Sequence, residues 1–490
     1  MRKPAADPQA DARAVAELGV VAPALGWRAR GGGRAAWAHP ARSYVATTTQ
    51  AAGLFPFLAG SGAPTAGVPL GRHALWGETV CLDPFAWMAG GLTTNTGMFL
   101  LGQPGVGKSA LAKRLTLALP AFGIRPIILG DTKGEHTAII TALGGQVIRV
   151  GRGLDRINPL DAGPLGAAAA QLGPARAAGI ALDVRGRRLN SLLALASLVR
   201  GGGGVPVGNG EEVLLGRALD LLVEGGTTNP TVPDVLRLLR GGGTALFASA
   251  AVRTQRDYDT RTRDLVHTLD LLLTGSLAGV FDGPTSAPID LDAPGVSVDI
   301  SATAAAGDTL VAAAMLATWS YGFGAVDAAN LLADHGLAQP RRHLLVMDEL
   351  WRALRGAPGL VDHADALTRL NRARGIASLM ITHSLADLEA LPTPADRAKA
   401  RGFIDRSAIV VLGGLPRREL DAVSTVVPLT PRERTLVASW SAAESWQPGV
   451  AHPGRGRYLI KTGARPGLVV SLDLTPAERD LYDTDTRVRG

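Results

Sequence analysis

Gly102-Gln103-Pro104-Gly105-Val106-Gly107-Lys108-Ser109 lies between an apolar run, Met98 to Leu101, and a segment carrying Leu111, Leu115 and Leu119 at four-residue spacing. The run before it reads as a strand, the segment after it as an amphipathic helix. Glycines at positions 102, 105 and 107 let successive backbone N–H groups turn inward around an anion, an approach a Cβ would obstruct. The following helix begins at the same point, so its dipole adds to the attraction. Lys108 is then placed to bridge terminal phosphates and Ser109 to offer its hydroxyl to magnesium, with Gln103, Pro104, Val106 and Ala110 completing the cradle. The eight residues satisfy the Walker A pattern in full, and ATP with Mg2+ is the expected cofactor pair.

Working outward, the apolar stretch Pro126 to Leu129 completes a strand, loop, helix, strand unit, the building block of parallel sheets. Another strand is expected at Gln146 to Val150. After Asn158-Pro159 the β signal stops for more than a hundred residues, and Leu189–Arg200, Glu211–Glu224, Val232–Arg240 and Arg261–Leu273 show helical spacing. Strands are expected again at Val296–Ile300, Leu344–Met347, Ile376–Ile381 and Ala408–Leu412, separated by helical stretches. This alternation specifies an α/β fold, a doubly wound and mainly parallel sheet around the P-loop, with an inserted all-helical subdomain. The expected divisions are a flexible tail over 1–42, a β-rich lead-in over 43–95, the first part of the core over 96–161, the helical insertion over 162–275, and the rest of the core with C-terminal strands and helices over 276–490. Within the lead-in, Leu54 to Phe57 and Val68 to Gly71 read as strand pieces. Thr430-Pro-Arg-Glu433 and Thr475-Pro-Ala-Glu478 each combine an N-cap Thr, a first-turn Pro and a Glu three residues on, and both are helix starts.

Composition narrows the class. The 490 residues are 46% hydrophobic and 19% charged, which describes a folded chain with a large core. A formal charge of +7 invites a nucleic-acid partner, but only six of the 50 basic residues are lysines, and the arginines are spread along the whole chain. The single cysteine, Cys81, excludes an internal disulfide framework and a cysteine-based zinc cluster, and suits a reducing compartment. No apolar stretch follows the early Arg2-Lys3 pair, which argues against a signal peptide. Thr309 to Val326 is a long uncharged run. With its Thr, Ser, Tyr and glycines it reads as a buried helix rather than a membrane span.

Magnesium and an attacking water need carboxylates beside the loop, so a second strand ending in acids is expected next to the first. Leu344-Leu-Val-Met347 followed by Asp348-Glu349 fits: Asp348 for the magnesium shell, Glu349 to orient and deprotonate the water. The turn Asp131-Thr-Lys-Gly-Glu135-His136 closes the strand after the P-loop helix. Asp131 or Glu135 is placed to meet the γ-phosphate region or water, with a solvated turn as the alternative. Thr382-His383-Ser384 ends the next strand. There His383 is the candidate γ-phosphate sensor, against a helix-capping role for Ser384. Arg372 and Arg374 precede that strand, and in a ring an arginine of one subunit can complete its neighbour's site; a surface salt bridge is the competing reading for either.

Taken with Leu143-Gly-Gly-Gln-Val-Ile-Arg149, Ile157-Asn-Pro-Leu-Asp161, Phe281-Asp-Gly-Pro-Thr285 and Asp348-Glu-Leu-Trp351, these motifs resemble the motor domain of VirB-type assembly ATPases of type IV secretion and conjugation, in the HerA/FtsK superfamily. The stretches Thr47 to Phe57, Gly67 to Gly71 and Leu82-Asp-Pro-Phe85 are similar to the lead-in of that motor, and Thr475 to Asp485 to its ending. The resemblance implies a RecA-like P-loop core, ATP hydrolysis, a hexameric ring of this chain, and a cytoplasmic place at the inner face of the membrane, reached through channel components without a span of its own. Lys108, Ser109, Asp348 and Glu349 keep their roles under it, and Arg372 best matches the ring arginine. Two features depart from the family: only about forty residues precede the matching region, where a large docking domain is usual, and His383 stands where Gln is usual. Two other functions fit the same residues. One is a soluble DNA translocase or coupling-type motor, with DNA as partner. The other is a nucleotide-gated ring scaffold with little turnover, against which the Asp348-Glu349 pair argues.

Overall fold

The computed structural model describes residues 62–201, 207–275, 278–355, 361, 364–365, 374–391, 393–442 and 452–482. The expected tail, the strand piece Leu54–Phe57 and Arg372 lie outside these residues. The strands are β1 (Val68–His73), β2 (Thr79–Leu82), β3 (Met98–Leu101), β4 (Ile124–Asp131), β5 (Gln146–Arg149), β6 (Val296–Asp299), β7 (Arg342–Met347), β8 (Ile376–Thr382), β9 (Ile409–Leu412), β10 (Arg457–Lys461) and β11 (Leu468–Leu472). They form one sheet in the order β2-β1-β11-β10-β9-β3-β8-β7-β4-β6-β5. From β9 to β5 every pairing is parallel, and from β9 to β2 every pairing is antiparallel. The lead-in strands and the C-terminal hairpin therefore extend the same sheet that carries the glycine-rich loop.

The parallel strands are apolar throughout because both of their faces are covered. Met98 and Leu100 of β3 point to the face covered by the helix Lys108–Ala118 through Leu111, Ala112 and Leu115. Phe99 and Leu101 point the other way, into a larger cluster that includes the long helix Asp308–Asp334. The uncharged run is the first two-thirds of that helix. It is long and apolar enough to cross a membrane, but most of it is buried against the sheet, where the Trp319 indole donates to the Leu129 carbonyl at 3.2 Å.

Between β5 and β6 the described elements are helices only: Pro164–Gln171, Pro174–Arg200, Asn209–Glu224, Val232–Gly241, Thr244–Ser249 and Gln255–Thr274. The apolar stripes of the last four, with the second half of Pro174–Arg200, join the cluster on the Phe99 face, while Leu165 and Ala168 of the first helix pack with Ile180 and Val184 on Ala328 of the long core helix. Cys81 is a buried free thiol in β2, a small apolar residue in effect. Both capped helix starts form. Thr430 accepts from the Glu433 N–H while Glu433 accepts from the Thr430 N–H, and Thr475 and Glu478 make the same exchange.

Candidate active site

Four adjacent parallel strands, β3, β8, β7 and β4, deliver their carboxyl ends to one edge of the sheet. The glycine-rich loop follows β3, Thr382-His383 ends β8, Asp348-Glu349 follows β7 and Asp131 ends β4. They surround a cleft of about 620 Å³ into which Gly105, Gly107, Lys108, Ser109, Ala110 and Pro104 face from the loop, and Glu135, Asp348, Glu349 and His383 from the other strands. The expectation that the carboxylate strand lies beside the loop strand needs correction. β8 intervenes, hydrogen-bonded to β3 on one side and β7 on the other. Two strand spacings, roughly 10 Å, separate Lys108's strand from Asp348's, and the His383 strand is the neighbour that fills the gap.

The loop is held from behind. Gly102 lies so close to Gly413 and Val106 that an added Cβ would meet Val106 Cγ2 at 2.9 Å. The Gln103 N–H donates to the Gly414 carbonyl at 3.0 Å, and the Gly456 N–H to the Val106 carbonyl at 3.0 Å. Gly107 has φ +98°, and its carbonyl accepts from the buried Tyr458 hydroxyl at 2.6 Å. Gly102, Gln103 and Val106 thus shape the cradle from outside the cleft. The Lys108 ammonium is turned back onto the loop, donating to the Gly102 and Gln103 carbonyls at 2.6 and 3.0 Å. Burial pulls its pKa down to about 8, against the opposing pull of Asp348 and Glu349.

The two acids differ sharply. Burial, with the neighbouring Glu349 charge, pushes Asp348 up to about 6. Its Oδ1 accepts from the Glu349 N–H at 2.9 Å. Glu349 is a non-glycine residue at φ +52°, a conformation that costs about 1–3 kcal/mol and is held only by its surroundings. Those surroundings are three donors on one carboxylate: Lys133 Nζ at 2.9 Å, His383 Nε2 at 3.2 Å and the Trp351 indole at 2.7 Å. Burial alone would raise this carboxyl, but the hydrogen bonds from His383 and Lys133 outweigh it and hold Glu349 well below the usual range.

Asp131 does not face the cleft. A bulge at Gly130 turns it so that its carboxylate accepts from the Lys133, Glu135 and His136 N–H groups at 3.2, 3.1 and 2.8 Å, which shapes the turn. Glu135 faces the cleft and pairs with the buried Lys113 at 3.3 Å. His383 and Ser384 take separate tasks: His383 meets Glu349, and Ser384 caps the helix Leu385–Glu389 through the Asp387 N–H. Arg374 is bound within its own chain, Nε to Asp327 Oδ1 at 2.8 Å. Arg455, Arg479, Asp480 and Tyr482 also reach the cleft, from the turn before β10 and from the C-terminal helix Pro476–Tyr482. Sequence reading missed these, and it also missed Tyr458, Lys113 and Lys133. For the lysines a signal existed: three of only six in an arginine-rich chain gather at one site.

Among the described residues no group of three or more His, Cys, Asp or Glu side chains could enclose a metal ion. Ser109 and Asp348 line the same cleft, and a hydroxyl with a carboxylate is the kind of oxygen donor set that suits magnesium shared with phosphate oxygens.

No family model and no curated protein matches the sequence. Solved structures do. VirB4 of Thermoanaerobacter pseudethanolicus superposes with a TM-score of 0.62 at 22% identity, over 86% of this chain and 100% of that one. The plasmid coupling protein TrwB in complex with ADP and Mg2+ superposes with a TM-score of 0.50 at 13% identity, over 84% of this chain and 91% of that one. With its glycine-rich loop, its acid pair and this likeness, the chain has the α/β P-loop fold seen in VirB4 and TrwB.

Proposed function

We propose that this chain is a magnesium-dependent ATPase that powers assembly of, or transfer through, a type IV secretion or conjugation channel, working as a ring on the cytoplasmic side. One observation carries the reading: a complete phosphate cradle and an Asp-Glu pair meet across one cleft, on the fold of VirB4. Lys108 leaves its loop carbonyls to bind the terminal phosphates, while the N–H groups of the loop and the start of the helix Lys108–Ala118 hold the rest. Ser109 and Asp348 would hold magnesium, which would supply neutralisation of phosphate charge. Glu349 orients the water and accepts its proton, with His383 positioned against the same carboxylate. In the ring, Arg372 supplies the neighbour's cation, since Arg374 is already paired to Asp327.

The test is the ATPase rate of the full chain against protein concentration, with and without DNA, beside a mass measurement. Turnover that rises as rings form supports the assembly reading. The likeness to the coupling protein TrwB favours a second reading, DNA translocation, which requires DNA-stimulated, salt-sensitive turnover. Binding of Mg-ATP without turnover in the assembled ring would leave only a scaffold.

A further inference from the structure

Lys133 stands at the third position of the turn Asp131 to Glu135, and its backbone is fixed there by the Asp131 carboxylate. Its side chain is 48% exposed and long enough to sweep the mouth of the cleft, yet its ammonium lies 2.9 Å from Glu349, whose carboxylate is only 6% exposed. The same cleft is lined by Lys108, and neither lysine is free in this arrangement: Lys108 donates to its own loop and Lys133 to Glu349. With Lys133, His383 and Trp351 all donating to one carboxylate, three of the roughly four lone-pair directions of Glu349 are taken, and each donor makes it a weaker acceptor for a water's proton. A base held in this way has to be released before it can act.

The release has an electrostatic source. Glu349 carries one negative charge, while the terminal phosphate of a bound nucleoside triphosphate carries more, so it competes for the mobile ammonium. ADP ends one phosphate earlier and offers less. We propose that Lys133 is a triphosphate-responsive latch: it holds Glu349 in the empty site and transfers its ammonium to the terminal phosphate when a nucleoside triphosphate binds, which frees the carboxylate. The latch rests on the nucleotide-binding reading above, and it adds to that reading a positioning residue and a way to tell triphosphate from diphosphate.

The test uses the full chain with Mg2+ and two probes, the β,γ-imido analogue of ATP and ADP, titrated calorimetrically into wild type, Lys133→Met and Lys133→Arg. Expected is a fall of about tenfold or more in the preference for the analogue over ADP in Lys133→Met, as for loss of one charge-assisted contact, with Lys133→Arg intermediate. Trp351 supplies an independent readout, because its indole donates to the carboxylate that is released. Its emission, isolated as the difference between wild type and Trp351→Phe, should change with the analogue and not with ADP. In Lys133→Met the nucleotide-free emission should already be displaced. An unchanged preference in Lys133→Met, or a Trp351 signal indifferent to the analogue in wild type that binds it, overturns the latch and leaves an ordinary ion pair. If wild type binds neither probe, the nucleotide reading fails and the latch with it. Should Lys133→Met not fold, the wild-type Trp351 signal decides alone.

Discussion

Two residues of the site carry conformational demands that a substitution can test. Gly107 must hold φ +98° with Tyr458 Oη 2.9 Å from where a Cβ would stand. Gly107→Ala is therefore strained and sterically blocked together, and Mg-ATP binding should be lost in calorimetry, with a melting temperature lowered by a few degrees rather than a collapse of the fold. Tyr458→Phe removes one hydroxyl and leaves the Gly107 carbonyl without that donor. A loss of about 1–3 kcal/mol, read as weaker nucleotide binding, is expected. Glu349 carries the second demand, a left-handed backbone. Glu349→Gln should keep Mg-ATP affinity and lower turnover by at least about a hundredfold; unaltered turnover would take Glu349 out of the chemistry. These residues were legible in different degrees. The glycine-rich loop and the acid pair announce themselves because each needs particular residue types at particular spacings. Tyr458 does not, since its task is set by a strand 351 positions away from the carbonyl it holds.

At the level of elements, the parallel strands were readable from continuous apolar runs, and the helix starts from their capping residues. The helix Pro174–Arg200 was visible only from Leu189 onward. Its first half carries Gly179, Asp183 and Gly186, which hide the period, although Ile180 and Val184 pack on Ala328. The strands β10 and β11 join the sheet antiparallel and are short, so alternation alone marks them weakly. What anchors this end is Glu433. From the helix Pro431–Ser439 it accepts from the Lys461 ammonium of β10 at 3.0 Å, from the Gly467 N–H before β11 at 2.7 Å and from the Thr430 N–H at 2.7 Å. Lys461 is buried, so Glu433→Ala strands a cation in the interior. Denaturant unfolding should shift by about 3–5 kcal/mol with an unchanged m-value.

For the molecule as a whole, the sheet order is what sequence cannot supply: periodicity says that strands exist, not that β8 slips between β3 and β7. That central region also sets the response to acid. His343, in β7, is buried, and burial together with the Arg125 and Arg341 charges pulls it down to about 4. Its folded value lies below the ordinary one, so the fold favours the neutral ring. The contribution is complete above pH of about 6.5 and is lost as pH falls towards 4, up to about 3 kcal/mol. Replacing it by leucine should flatten the stability profile across that window. A profile with the same slope in His343→Leu would assign the acid sensitivity elsewhere.

The scarcity of lysine has a practical corollary. Lys108, Lys113 and Lys133 share one cleft, Lys461 is sealed inside, and Lys399 is exposed far along the chain. An acylating reagent applied in mildly alkaline buffer therefore meets very few amines, and burial, which pulls Lys108 down to about 8, leaves more of it deprotonated there than of an ordinary lysine. Peptide mapping of the adducts, with and without saturating nucleotide, would turn the occupied cleft into a footprint written on its own side chains.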